Sequence, residues 1–131
     1  MNELIGFLQE LFEKWGQVTA RRMFGGHGLY HDGLMFAIVV DNRLYLKTDD
    51  INRPEFEALG LTPFTYPMKG KTVALSYWSA PDAMFDDPTE AVLWAHSAWH
   101  AAARGQTAKA ARPRRRFPGT TFPKNGPVSR T

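Results

Sequence analysis

The chain has 131 residues, a formal net charge of +3, 44% hydrophobic and 13% aromatic residues, and no cysteine. This length and composition predict one small domain with a hydrophobic core, and they exclude disulfides, thiolate metal sites and cysteine nucleophiles. Residues 1–9 lack the basic start and unbroken apolar core of a secretory signal, and the longest apolar run elsewhere, residues 34–40, is too short to span a bilayer. We therefore expect a soluble cytoplasmic protein.

The charges are unevenly distributed along the chain. Residues 1–103 contain eight Lys or Arg and all thirteen Asp or Glu, which gives −5. Residues 104–131 contain the other eight cations and no acid, which gives +8. The second segment also has too few large apolar residues to offset the entropy of ordering it. We therefore predict an acidic folded domain over residues 1–103 and a disordered basic tail over residues 104–131.

The first predicted element is an amphipathic helix over residues 2–15. Leu4, Leu8, Leu11 and Trp15 recur at helical spacing, so they should face the core. Gly16 predicts the end of this helix, because glycine is the common residue just beyond a helix C-terminus.

The hydrophobic period then changes from 3.6 to 2, which predicts strands. The turn pairs Asp32-Gly33 and Asp41-Asn42 are typical of tight hairpins. They separate β-branched and aromatic segments, and the predicted strands cover residues 18–24, 28–30, 34–40 and 43–47. The result is an antiparallel meander.

A short helix should follow the meander. Asn52 and Glu55 have the spacing of a capping box, and Gly60 predicts the end of the helix. Phe56 and Leu59 would then face inward.

The rest of the domain is predicted as a second hairpin and a last helix. Residues 64–68 and 72–78 flank the turn Lys69-Gly70, with alternate apolar residues on one face of the second strand. Asp87, followed by a proline, is a typical helix start. The inner stripe of this last helix is predicted as Val92, Ala95, Trp99 and Ala102.

Several ordered motifs resemble those of the TfoX N-terminal domain family. The run RRMFGGHGLYHDGLMFAIVVDNRLYLKTDD over residues 21–50 is similar to the opening signature of the family. Later matches are P-F-x-Y at residues 63–66, K-G-K at 69–71, S-Y-W at 76–78 and W-A-x-x-A-W-x-A-A at 94–102. The residues that carry these motifs include Arg22, Met23, Phe24, Gly25, Gly26, Gly28, Tyr45, Lys47, Asp49, Phe64, Tyr66 and Tyr77.

This resemblance implies a two-layer α+β domain with one antiparallel sheet, helices on one face and the order α-β(3)-α-β(2)-α. It also implies a non-enzymatic regulator of competence genes that acts with the cyclic-AMP receptor protein. A protein partner of that kind is therefore expected, without a cofactor. The alternative is a small-ligand-binding or catalytic domain that uses the groove beside Gly25 to Gly28.

The glycines of this segment do not form a phosphate-binding loop. No Gly-Lys-Ser/Thr follows Gly25, Gly26 and Gly28, and the segment leads into strands rather than opening a helix. We interpret them as a turn or bulge where only glycine tolerates positive φ or a close backbone approach, with an anion-binding nest as the alternative.

Two histidines have metal-ligand spacing. His96 and His100 are four residues apart on the last helix, but no third ligand is identifiable nearby. We interpret them as exposed helix residues and His27 and His31 as loop residues, and we predict no metal site.

The paired acids have a structural interpretation as well. Asp49-Asp50 and Asp86-Asp87 each precede a predicted helix, where carboxylates accept hydrogen bonds from unpaired amides. No serine has a nucleophile-elbow context, so no catalytic residue is predicted.

The tail provides a separate functional signal. Arg112, Arg114, Arg115 and Arg116 lie in a proline-containing stretch that could contact DNA phosphates without sequence preference. The alternative is a solvated basic tail that contacts acidic partners or this domain itself.

Overall fold

The computed structural model describes residues 3–23 and 25–111. In chain order, its elements are α1 (Glu3–Leu11), β1 (Thr19–Met23), β2 (Gly26–His31), β3 (Leu34–Val40), β4 (Arg43–Lys47), α2 (Arg53–Ala58), β5 (Pro63–Met68), β6 (Lys71–Ser79), a 3-10 turn (Asp82–Asp86) and α3 (Pro88–Ala111). No described helix is long and apolar enough to cross a membrane.

The strands form one six-stranded sheet in the order β1-β2-β3-β4-β6-β5, and all neighbouring pairs are antiparallel. The two-layer α+β fold and the order of helices and strand groups are therefore confirmed. The group before α2 has the four strands that the periodicity predicts, rather than the three of the family order.

The hairpin turns after β2, β3 and β5 place both central residues at positive φ. The angles are 50° and 76° at Asp32-Gly33, 52° and 61° at Asp41-Asn42, and 51° and 79° at Lys69-Gly70. This backbone twist matches the right-handed twist of the flanking strands, and Asp, Asn and Gly adopt it most readily. The predicted hairpins are therefore confirmed.

The hydrophobic core lies between the helices and one face of the sheet. Its largest fully buried side chains include Phe12 after α1, Phe36 of β3, Phe56 of α2 and Met84 of the 3-10 turn. The rings of Phe12 and Phe36 meet edge to face, with centroids 5.9 Å apart. Burial of such aromatic side chains supplies much of the stability of a domain of this size.

Alanines form the inner face of α3. Ala91, Ala95, Ala98 and Ala101 are fully buried, whereas Val92 and Trp99 are only partly buried. The predicted stripe is therefore confirmed at Ala95 and Ala102 and wrong at Val92, and Trp99 packs against the core without being fully buried. Small side chains let the helix approach the sheet closely, so the bulk of the core comes from α1, α2 and the strands.

The start of α2 also differs from the prediction. Asn52 makes no side-chain cap hydrogen bond, and its side chain instead contacts Asp49, Lys47 and Ser97. The predicted capping box is therefore wrong. Phe56 is buried as predicted, but Leu59 is 57% exposed because it lies beyond the last turn of this short helix.

The last helix continues past the predicted boundary at residues 103 and 104. It runs to Ala111, and Arg104 lies on it with its side chain bound to Asp49. The predicted break at Gly105 does not end the helix, because alanine-rich sequence on both sides favours the helical conformation. The remaining tail, with Arg112, Arg114, Arg115 and Arg116, lies outside the described residues.

Candidate functional site

A bulge in the β2–β3 pairing determines which side chains of β3 lie on each face of the sheet. Leu29 pairs with Ala37, but Tyr30 pairs with Met35, so Phe36 is an extra residue in β3. Phe36 and Ala37 both belong to the core under the helices. Met35 and Ile38 lie on the opposite face, in a pocket to which no described helix contributes a residue. We call this opposite surface the open face.

The open face contains an apolar pocket of about 200 Å³. Strands β1 to β3 contribute Met23, Gly26, His27, Met35, Ile38 and Val40. The β5–β6 hairpin contributes Phe64, Tyr66, Leu75 and Tyr77. The pocket is therefore formed by strands of one sheet that are distant in sequence.

Glycines make room for this pocket. A Cβ added to Gly28 would lie 2.5 Å from Met35 Sδ and 2.9 Å from Met23 Sδ, and one added to Gly26 would lie 2.3 Å from the carbonyl oxygen of Val39. Gly25 has a φ of 82° in the turn between β1 and β2. The prediction of a turn with close backbone approach is confirmed.

Aromatic rings form one wall of the open face. Phe64 meets Tyr45 edge to face at a centroid distance of 5.0 Å and stacks on Tyr66 at 6.3 Å. Burial, with a smaller contribution from the nearby Tyr30, raises the pKa of Tyr77 to about 12. The Tyr77 phenol is therefore neutral at physiological pH.

Two cations lie against the aromatic rings of this face. The Arg21 guanidinium is 5.3 Å from the ring centroid of Tyr30, and Lys47 Nζ is 5.1 Å from that of Tyr77. Lys47 also donates a 2.8 Å hydrogen bond to Ser76 Oγ. Burial lowers the pKa of Lys47, and the charge of Asp49 partly offsets this shift. Within the described chain, no carboxylate lies within 4 Å of either cation.

Acidic residues are absent from the whole sheet. None of the six strands contains Asp or Glu, and all thirteen acids lie in helices, turns or loops. The sheet surface is therefore apolar and cationic, although residues 1–103 carry a net charge of −5.

Most of the family-motif residues lie on the open face. Eight of them line the pocket or contact its walls: Met23, Gly26, Gly28, Tyr45, Lys47, Phe64, Tyr66 and Tyr77. Arg22 and Gly25 lie beside the β1–β2 turn, and Asp49 lies on the helical side. Phe24 lies outside the described residues. Met35 and Ile38 also line the pocket, but no sequence motif predicts them as site residues.

A second cavity lies at the glycine turn. This groove, which we call the glycine-turn groove, has a volume of about 480 Å³. It is lined by Arg22, Met23, Gly25, Gly26, His27, Val39 and Asp41. Both cavities share Met23, Gly26 and His27, so the turn separates an apolar pocket from a more polar groove.

The four histidines have different surroundings. His96 and His100 are exposed on α3, with ring centroids 4.3 Å apart. Among the described residues, no three His, Cys, Asp or Glu side chains are grouped so that they could hold a metal. His27 and His31 belong to β2 rather than to a loop, so that interpretation is wrong. His31 stacks on Trp15 at 3.9 Å and thereby joins the turn after α1 to the sheet.

The acids before the helices accept hydrogen bonds from nearby backbone amides. Asp87 Oδ1 accepts hydrogen bonds from the amides of Thr89 and Glu90 at 3.0 and 3.4 Å. Asp49 Oδ1 likewise accepts from Ile51 and Asn52 at 3.0 and 3.1 Å. The structural interpretation is confirmed at Asp87, whereas Asp49 accepts from amides of the turn before α2.

This architecture defines a small two-layer α+β domain with one covered and one open sheet face. Residues 10–102 match the model of the TfoX N-terminal domain, so the chain belongs to the TfoX N-terminal domain family. Its relatives include DNA transformation protein TfoX1 of Aliivibrio fischeri, which is 32% identical over 76 residues, or 58% of this chain and 36% of the relative. DNA transformation protein TfoX of Haemophilus influenzae is 35% identical over 66 residues, or 50% of this chain and 30% of the relative. The matches therefore span about a third of these relatives.

Proposed function

We propose that this chain is a non-enzymatic regulatory module that acts in the control of DNA transformation through protein contacts. The observation that carries the proposal is the placement of eight family-motif residues on the open face. An apolar pocket walled by methionine and aromatic side chains is suited to protein contact, because methionine adapts to varied partners and aromatic side chains are enriched at interfaces. The names of the two relatives support the biological process.

The partner expected from the family is a regulator like the cyclic-AMP receptor protein. A strain that lacks the gene for this chain should transform less often, and its competence transcripts should decrease. The chain should also co-purify with that regulator from cells that contain both. An unchanged transformation frequency together with unchanged competence transcripts would contradict the proposal.

DNA contact through the tail is a separate part of the proposal. If four to six phosphates are neutralised, the logarithm of the binding constant should fall against the logarithm of salt concentration with a slope of about −4 to −5. Replacement of Arg112, Arg114, Arg115 and Arg116 by alanine should abolish this binding. Binding that survives the four changes would place DNA recognition on the folded domain instead.

The glycine-turn groove supports a second candidate function, the binding of a small anion. Arg22 and His27 line this groove beside Gly25, where exposed backbone amides could add hydrogen bonds. An anionic metabolite that raises the melting temperature of the parent chain should lose this effect in Arg22→Gln. Arg43→Gln, which changes an exposed cation that does not line the groove, is the matched control.

A further inference from the structure

The open face combines two features that point to the chemistry of its partner. Its pocket is apolar, and the cations beside it, Arg21 and Lys47, have no carboxylate within 4 Å in the described chain. The acids of the domain lie elsewhere, in helices, turns and loops. A partner that covered this face would therefore meet apolar and positively charged groups.

The size of the pocket indicates how much of a partner it can hold. Small-molecule sites usually enclose about 300 to 1,000 Å³, whereas a cavity of about 150 Å³ accepts a benzene ring. The open-face pocket, at about 200 Å³, therefore matches a single large apolar side chain better than a whole cofactor. Its walls include Met23 and Met35, whose flexible thioethers can adjust to the inserted group.

The cations supply the second part of the recognition. Lys47 Nζ lies beside Tyr77, which lines the pocket, and Arg21 of β1 lies over the ring of Tyr30 of β2. The Lys47 ammonium is half-buried, and its hydrogen-bond acceptor is a neutral serine hydroxyl. A carboxylate binds such an ammonium more strongly than a fully exposed ammonium, because less solvent screens the charge. Acidic residues on either side of the anchor would reach these two groups.

The geometry also disfavours strand addition at the β5 edge and base stacking on the aromatic wall. Strand β5 forms one edge of the sheet and contains Pro63 and Pro67, which cannot donate ladder hydrogen bonds to an added strand. The rings of Phe64, Tyr66 and Tyr45 contact one another instead of offering separate flat faces to stacked bases. The apolar pocket in the open face instead suits the docking of a side chain.

We infer that the open face binds an acidic segment of a partner protein, with one large apolar side chain in the pocket and flanking carboxylates on Lys47 and Arg21. This inference rests on the proposed function, because it specifies the surface and the chemistry of the protein contact. It gives the β1–β3 strands and the β5–β6 hairpin a joint role, since neither forms the pocket alone.

A displayed library of random 12-residue peptides, selected on the full chain, tests the inference. Enriched peptides should share one Phe, Trp, Leu or Met flanked by two or more Asp or Glu. A synthetic labelled peptide of that sequence should bind about tenfold more weakly to Lys47→Met and to Arg21→Gln, because each change removes one charge-assisted contact. Lys14→Met, which removes an exposed cation from the region after α1, should change the Kd less than twofold.

Changes in the peptide test the same contacts without altering the protein. Serine in place of the apolar anchor, or lysines in place of the acids, should each weaken binding to the parent chain at least tenfold.

The inference is overturned if no peptide is enriched, if the enriched peptides lack acids or the anchor, or if Lys47→Met and Lys14→Met bind alike. It is also overturned if an oligo(dT) strand displaces the peptide at micromolar concentration, because the face would then recognise nucleic acid. Loss of transformation in the deletion strain without peptide enrichment would leave the proposed function intact and remove only this inference.

Discussion

Arg104 donates two hydrogen bonds to the carboxylate of Asp49, from Nε to Oδ2 at 2.7 Å and from Nη2 to Oδ1 at 2.9 Å. The pair connects the loop before α2 with the last turns of α3, 55 residues apart in sequence. Asp49 also accepts from the amides of Ile51 and Asn52, so one carboxylate ties the start of one helix to the end of another.

This pair should make stability depend on pH. The hydrogen bond from Arg104 lowers the pKa of Asp49 to about 2, against an ordinary value of about 3.9 for an unfolded aspartate. Because the pKa of Asp49 is lower in the folded state, its carboxylate stabilises the fold fully at pH values above the unfolded pKa. This contribution is lost as pH falls through about 2. Because both side chains are partly solvated, we expect about 1 to 2 kcal/mol at pH 7.

Urea denaturation of Arg104→Met at pH 7 and pH 2 checks this expectation. The variant should be less stable than the parent at pH 7, and the difference should nearly vanish at pH 2. Arg53→Met is the matched control, because Arg53 pairs with Asp50, whose side chain is 93% exposed, and its removal should cost at most about 0.5 kcal/mol. Equal losses in the two variants would contradict this assignment.

Two truncations, one before and one after the last turns of α3, should differ in stability. A chain of residues 1–103 lacks Arg104 and the last turns of α3, so it should unfold at lower urea concentration than a chain of residues 1–111. The chain of residues 1–111 keeps every described contact and should match the full chain. If both truncations unfold together, the last turns of α3 do not contribute to stability.

Two glycines should respond oppositely to alanine. Gly26→Ala places a Cβ 2.3 Å from a backbone oxygen, which no rotamer change can relieve, so it should destabilise by about 2 kcal/mol or more. Gly6→Ala lies in α1 with no atom within 4 Å of the added carbon, so it should stabilise by about 0.5 to 1 kcal/mol. Thermal melts of both variants test this contrast, and destabilisation by Gly6→Ala would show an unrecognised contact on α1.

Aromatic truncations should separate core from periphery. Phe36 is fully buried, so Phe36→Ala should cost about 3 to 5 kcal/mol. Trp99 is partly buried and donates a 2.8 Å hydrogen bond from Nε1 to the carbonyl oxygen of His31. Trp99→Ala should therefore cost less than Phe36→Ala, and Trp99→Phe should cost about 1 kcal/mol for the lost hydrogen bond. A greater loss of unfolding free energy for Trp99→Ala would place Trp99 at the centre of the core.

Local chemistry explains which parts of the fold could be predicted. Asp32-Gly33 and Asp41-Asn42 specify their turns through residues that tolerate positive φ, and the strand ends follow from those turns. The end of α3 was predicted too early, because the contact that supports it joins Arg104 to a residue 55 positions earlier. Hydrophobic periodicity and capping motifs do not indicate a contact between residues so far apart in sequence.

The open-face pocket could be predicted only in part. The alternation of apolar residues in β6 indicates that one of its faces is apolar, but the sequence does not indicate which distant strand it meets. The bulge that sends Phe36 and Ala37 to the same side also breaks the period of two. The resemblance identified motif residues such as Tyr66 and Tyr77, and the structure was needed to place them on one surface.

The most direct test of the central claim is complementation of a strain that lacks the gene for this chain, with transformation frequency as the readout. The variant that combines Lys47→Met and Arg21→Gln should restore less than about a tenth of the parent frequency, because it removes the charge contacts that we place on the open face. Lys14→Met should restore it fully, with the abundance of each chain checked by immunoblot. Full complementation by the open-face variant at normal abundance would contradict the claim that the chain acts through this face.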